Sequence, residues 1–160
     1  MQTVSATRRI KASQNAIWSL IADVRRIADW HYNIATVDLL SSAPTGIGAA
    51  RRCNFHDGSN VREDVVAVTE EQRILMKLSE FSVPMKRLEL EITLRRLAAE
   101  ETEAVLTLRY VVKYGILGRI LGATVVRKEL TGVTTKLLAG LDLHATTGTI
   151  IDKDTLLQAA

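Results

Sequence analysis

Hydrophobic and polar positions alternate along most of residues 48–114, and the repeat then lengthens to a helical one from Gly115 to about Leu143. Before this run, Val4, Ala6, Arg8 and Ile10 alternate with Thr3, Ser5, Thr7 and Arg9, which predicts a first strand. Ser13 suits the N-cap of a helix reaching about Ala22, with Ala16, Ile17, Leu20 and Ile21 on its inner face. Asp23 can cap a second short helix, Val24 to Trp30, that turns Ile27 and Trp30 inward. A strand from Ile34 to Leu40 ends at Ser41-Ser42-Ala43-Pro44-Thr45-Gly46. Ala49–Phe55 and Asn60–Thr69 flank His56-Asp57-Gly58, a connection of the kind that places glycine in the left-handed conformation of a bulged hairpin. Arg73–Ser79, Met85–Leu97 and Glu103–Tyr114 complete seven strands, with the last turn expected at Glu100-Glu101.

In the C-terminal segment Leu117, Ile120, Leu121, Val125, Leu130, Val133, Leu137 and Leu141 recur at helical spacing, with Arg127, Lys128 and Lys136 between them. At about 1.5 Å per residue such a helix is on the order of 40 Å long, enough to cross a whole sheet. Gly118, Gly122, Ala123, Gly132, Ala139 and Gly140 weaken it, and would allow close approach to the sheet or a bend. The expected class is α+β: a seven-stranded curved antiparallel sheet with two short helices and a long C-terminal helix. One helix cannot cover so large a sheet, so the arrangement should enclose a cavity. Residues 1–144 would form this domain. Residues 145–160, with Ile150-Ile151 and Leu156-Leu157, read as a frayed tail or a homodimer contact.

Composition narrows the chemistry. The net charge is +3, but the basic residues come as scattered pairs such as Arg8-Arg9 and Arg51-Arg52, acidic residues lie among them, and aromatics make up only 4%. A nucleic-acid footprint would gather cations on one stripe with aromatics for stacking, so no nucleic-acid partner is expected. No stretch has the roughly 18 uncharged apolar residues of a membrane span, and Met1–Lys11 has no apolar core like that of a secretory signal. A cytoplasmic location without membrane insertion is the expectation. Cys53 is the only cysteine, and His31, His56 and His144 share no ligand spacing, so neither a metal nor a cofactor is implied.

The motif Ile10-Lys-Ala-Ser-x-x-Ala-Ile-Trp18-x-Leu-Ile-Ala-Asp23, with Trp30 following, resembles the opening of the START/Bet v 1-like superfamily, and most of all its polyketide cyclase/dehydrase and lipid-transport group. Gly46-x-Gly48-Ala-x-Arg51, then Asp57-Gly58 and Glu63, and Tyr114-Gly-x-Leu-Gly118-Arg before the last helix are similar to the later stretches of that group. The resemblance spans about Val4 to Leu143 and implies the helix-grip fold. It implies a small hydrophobic ligand (lipid, isoprenoid or polyketide-like) but no single activity, since the superfamily holds carriers, receptors and aromatase/cyclases.

Strand parity then nominates the wall of the cavity. If Phe55 points inward, so do Cys53 and Arg51, and across the hairpin Arg51 should face Glu63. Such a pair could orient a ligand, act as acid and base, or be a salt bridge in a partly wet groove. Met76, Leu78, Leu90, Tyr110 and Val112 would continue the wall, with Trp30 and Tyr32 near its entrance. Cys53 lacks a histidine in the local sequence to activate it, and His31 reads as a helix-end residue rather than a base. Two functions remain open: a carrier or sensor of a hydrophobic ligand, and a metal-free cyclase or dehydratase of aromatase/cyclase type using Arg51, Glu63 and Tyr110.

Overall fold

A computed structural model describes residues 1–81, 85–113 and 122–158. Its seven strands are β1 (Gln2–Ile10), β2 (Ile34–Leu39), β3 (Ala50–Phe55), β4 (Asn60–Thr69), β5 (Arg73–Ser79), β6 (Met85–Ala98) and β7 (Glu101–Val112). They form one antiparallel sheet in the order β1-β7-β6-β5-β4-β3-β2. The first two strands therefore lie on opposite edges, and the chain between them has to travel the width of the sheet. It does so through α1 (Gln14–Ala22), a 3₁₀ turn (Val24–Arg26) and α2 (Ile27–Trp30). Register shifts between Ile34 and Thr36, Val65 and Ala67, Met85 and Arg87, and Arg96 and Ala98 mark irregularities of the bulge type, which bend strands and increase their twist.

Local chemistry sets most boundaries. The Ser13 hydroxyl accepts from the Ala16 N–H to open α1, and an Asp23 carboxylate oxygen accepts from the Arg25 N–H to open the next turn. Gly58, at φ +85°, supplies the left-handed residue of the β3–β4 hairpin. The last hairpin turns at Ala99-Glu100, one residue earlier than expected, because Glu101 already pairs with Ala98. On α1 the buried residues are Ile17, Trp18, Leu20 and Ile21, while Ala16 is exposed. Trp18 takes the inner place, and its indole N–H donates to Glu70 at 2.8 Å.

A π-helical turn (Gly122–Val126) leads into the long helix α3 (Arg127–Thr147), which packs on β1, β7, α1 and α2. The expected start of this helix, Gly115–Leu121, and Tyr114 at the end of β7 lie outside the described residues. Leu137 and Leu141 are buried as their spacing requires, whereas Val125 is exposed. α3 also runs four residues past Leu143, to a left-handed cap at Gly148 whose N–H donates to the His144 carbonyl at 2.8 Å.

The frayed tail is corrected. His144 Nδ1 meets the Thr149 carbonyl at 2.8 Å, the Ile151 N–H donates to the Asp29 carbonyl at 2.9 Å, and α4 (Lys153–Gln158) follows. Ile151 retains 3% exposure, so it seals the joint between α2 and α3. Ile151→Ala is expected to remove about 2–4 kcal/mol of stability by urea denaturation. An unchanged midpoint would show that the docked tail adds nothing.

Candidate functional site

The inner face of the sheet is packed in two ways. At its β1–β7 side, Leu106 and Tyr110 of β7 and Leu138 and Leu141 of α3 are completely buried and fill the space. Toward β3–β5 the sheet curls away from α3, and a cavity of about 290 Å³ remains. Its wall is made by Ile21, Ile27 and Trp30 from the helical crossing, by Leu130, Val133 and Leu137 from α3, and by inward residues of β3 to β7. The volume lies at the lower end of the ~300–1,000 Å³ range usual for ligand sites.

Alternation delivers the one charged pair among the described residues of this wall. Arg51 and Glu63 face one another in the β3–β4 register and keep only 3% and 7% exposure. Arg51 Nε donates to Glu63 Oε2 at 2.6 Å and Nη2 approaches the same oxygen at 2.5 Å. Nη1 donates to the Val24 carbonyl at 2.9 Å, and Nη2 also reaches Met76 Sδ at 3.6 Å. Burial disfavours the charged guanidinium, but Glu63 more than offsets it and holds Arg51 above its ordinary value. Each of the three side-chain nitrogens thus has a partner within the protein. The Nε/Nη2 edge of Arg51 is taken up by Glu63 and is not open to a bidentate ligand carboxylate.

Trp30 and Phe55 line the cavity with Arg51, Glu63, Met76, Leu78 and Leu90. Trp30 is fixed from two sides, since its indole N–H donates to the Leu20 carbonyl at 3.3 Å and α3 crosses its backbone at Gly140. Four other candidates lie off this wall. Cys53 is buried behind the ion pair, with Sγ 3.8 Å from Glu63 Oε2. Burial first, and then Glu63, push its thiol well above the usual range, which disfavours a nucleophilic thiolate. Tyr110 is fully buried in β7 between Gln2 and Leu88 of the neighbouring strands, and burial raises its phenol. Val112 is half-buried opposite Met85. Tyr32 turns to the other side of α3, where it stands under Lys136 Nζ at 5.6 Å and borders an outer groove of about 570 Å³ with Leu143, Leu156 and Leu157. Arg8 and Asp142, paired at 2.5 Å, form part of that groove's rim.

Sequence reasoning missed His31, Phe81 and Met85, all on the cavity wall. Phe81 escapes strand parity because Glu80 adopts φ +55°, which resets the alternation at the end of β5. His31 stacks on Tyr32 at 5.2 Å and tilts against Phe55 at 5.9 Å, and its Nδ1 accepts the Asn33 N–H at 3.1 Å. The sequence signal was the aromatic cluster Trp30-His31-Tyr32 at a helix end followed by Asn33. Burial, reinforced by the charge of Arg51, depresses His31 from 6.5 to about 3. An unfolded histidine protonates near pH 6.5, so this site's stability contribution is complete above that pH and is lost as pH falls toward about 3. The His31 ring-proton NMR signal should therefore not titrate between about pH 7 and 5; a midpoint near 6.5 would place the ring in water.

Among the described residues no cluster of His, Cys, Asp or Glu could hold a metal ion, and no helix is long and apolar enough to cross a membrane. A bent sheet gripping a long helix around an apolar chamber defines a helix-grip ligand-binding domain. The chain belongs to the polyketide cyclase/dehydrase and lipid-transport family, whose model matches residues 1–146. Three solved structures share the fold at low identity. A START superfamily protein from Mycobacterium smegmatis is 19% identical, with a TM-score of 0.75 over 92% of this chain and 99% of its own. A protein from Thermus thermophilus is 22% identical, with a TM-score of 0.71 over 92% and 99%. The Zhui aromatase/cyclase from a Streptomyces species is 19% identical, with a TM-score of 0.64 over 92% and 97%. No curated protein matches the chain.

Proposed function

We propose that this protein binds one small hydrophobic molecule in the cavity between the sheet and α3, as a carrier or sensor rather than as a catalyst. The observation that carries this reading is the wall itself, which is aliphatic and aromatic except for a few polar groups. Its ion pair is closed on itself: Glu63 Oε2 accepts from Arg51, and each nitrogen of Arg51 has a partner in the protein. Arg51 stays a cation and cannot serve as a general acid or base, and Glu63, the anion of that pair, is a poor proton donor. Apolar contact would supply most of the affinity, at about 25 cal/mol per Å² removed from water before the costs of association.

Native mass spectrometry of the protein purified from cells tests this. One small molecule per chain, released on denaturation, is the expected result. A ligand-free spectrum, together with no uptake of the neutral dye Nile red, would end the proposal. The cyclase/dehydratase alternative draws on membership of the family and on the likeness to an aromatase/cyclase. It would prevail if the bound molecule were turned over and Glu63→Gln abolished turnover while leaving binding intact.

A further inference from the structure

We propose that the cavity takes a neutral molecule bearing a hydrogen-bond-accepting oxygen, such as a ketone, held by the Nε2–H of His31, and that it rejects carboxylates. The inference rests on the cavity being a ligand site, as proposed above. It goes further in naming the polar contact and the charge class of the ligand.

His31 carries the argument. Its Nδ1 accepts the Asn33 N–H, so the neutral ring must hold its proton on Nε2. Contacts with Tyr32, nearly parallel to it, and with Phe55, tilted against it, restrict the plane of the ring. No described residue accepts from Nε2, and His31 lies on the cavity wall. A donor that no described residue satisfies favours a ligand that supplies an acceptor, because an unmatched polar group at a buried contact weakens binding. Burial and Arg51 keep the ring uncharged at neutral pH, so it presents a donor without a positive charge.

The rest of the wall argues against an anion. Arg51 is the one cationic side chain among the described lining residues, and Glu63, Val24 and Met76 occupy its nitrogens. Glu63 adds a negative charge to the same wall. Ser59 and Asn60 are the remaining polar lining residues: the Ser59 hydroxyl donates to Asp57 at 2.6 Å, and the Asn60 side-chain oxygen accepts from Arg52 at 3.2 Å. This leaves the Asn60 amide N–H groups as neutral donors that bring no charge to match an anion. A carboxylate entering here would lose its water, meet the charge of Glu63 and find the one described cation already paired.

Three isosteric probes separate the possibilities: 2-acetonaphthone, 2-isopropylnaphthalene and 2-naphthoate, measured by equilibrium dialysis near pH 7. The ketone should bind about fivefold tighter than the hydrocarbon, and at least about tenfold tighter than the carboxylate. In 15N-histidine-labelled protein the His31 Nε2 resonance should move with the ketone and not with the hydrocarbon. His31→Leu should erase the ketone's advantage while hydrocarbon binding persists. Naphthoate binding as tightly as the ketone, or equal affinity for ketone and hydrocarbon, overturns this proposal and leaves the ligand-site reading standing. Failure of all three to bind overturns the ligand-site reading, and this proposal with it.

Discussion

Glu63→Leu should destabilise the protein by about 3–5 kcal/mol, the range for removing one partner of a buried ion pair. The cause is the guanidinium left behind. Arg51 is 3% exposed, and without Glu63 its charge faces only the Val24 carbonyl, Met76 and an apolar wall. For a domain of this length such a loss lowers the melting temperature by roughly ten degrees. The informative control is the double replacement Arg51→Met with Glu63→Leu, which removes both charges and substitutes apolar volume. It should recover most of the lost stability, since isosteric replacement of buried pairs is often neutral or favourable. If the single variant were as stable as the parent by urea denaturation, the pair would have to be solvated rather than buried.

The second large effect concerns two glycines in α3 that helix propensity alone would treat alike. Alanine at either position should favour the helix by up to about 1 kcal/mol. At Gly132 nothing lies within 4 Å of where a Cβ would sit, so Gly132→Ala should show that gain. At Gly140 the Cβ would stand 2.2 Å from the Trp30 carbonyl oxygen and 3.4 Å from Ile151 Cγ2. The first obstacle is backbone, which cannot rotate aside, so α3 must lift from α2. Overpacking of this kind costs about 1–3 kcal/mol or more, and Gly140→Ala should be destabilised despite its better propensity. Trp30 lines the cavity, so ligand affinity should fall in the same variant. Equal stabilisation by both alanines in thermal melts would contradict the contact between these helices.

What the sequence revealed and what it hid follow from the range of the interactions. The strands were legible because alternation is local and repeats every two residues. The Arg51–Glu63 register was legible because Gly58 defines the hairpin between them. The first helix could be placed through Ser13, a local hydrogen bond, and Trp18 packs between that helix and the sheet as its bulk predicts. Its indole partner, Glu70, lies 52 residues away, however, and the exposure of Ala16 follows only from that tertiary placement. The docked tail was hidden for the same reason: Ile151 reads as a terminal hydrophobic residue until Asp29 and Gly140 are placed beside it. His31 shows the limit most sharply. Its neutrality depends on burial and on Arg51, neither of which leaves a mark in the nearby sequence. Tyr32, next along the chain, falls on the opposite side of α3, because strand and helix parity do not extend through an irregular helix end.

The central claim is that the chamber under α3, and not the outer groove, receives a small apolar molecule. Methyl-labelled protein titrated with 2-acetonaphthone tests it directly by NMR. The methyl signals of Met76, Met85 and Leu90 on the cavity wall should shift with a common saturation curve, while those of Leu143, Leu156 and Leu157 in the groove stay in place. Saturable shifts confined to the groove leucines, with the cavity methyls unmoved, would contradict it.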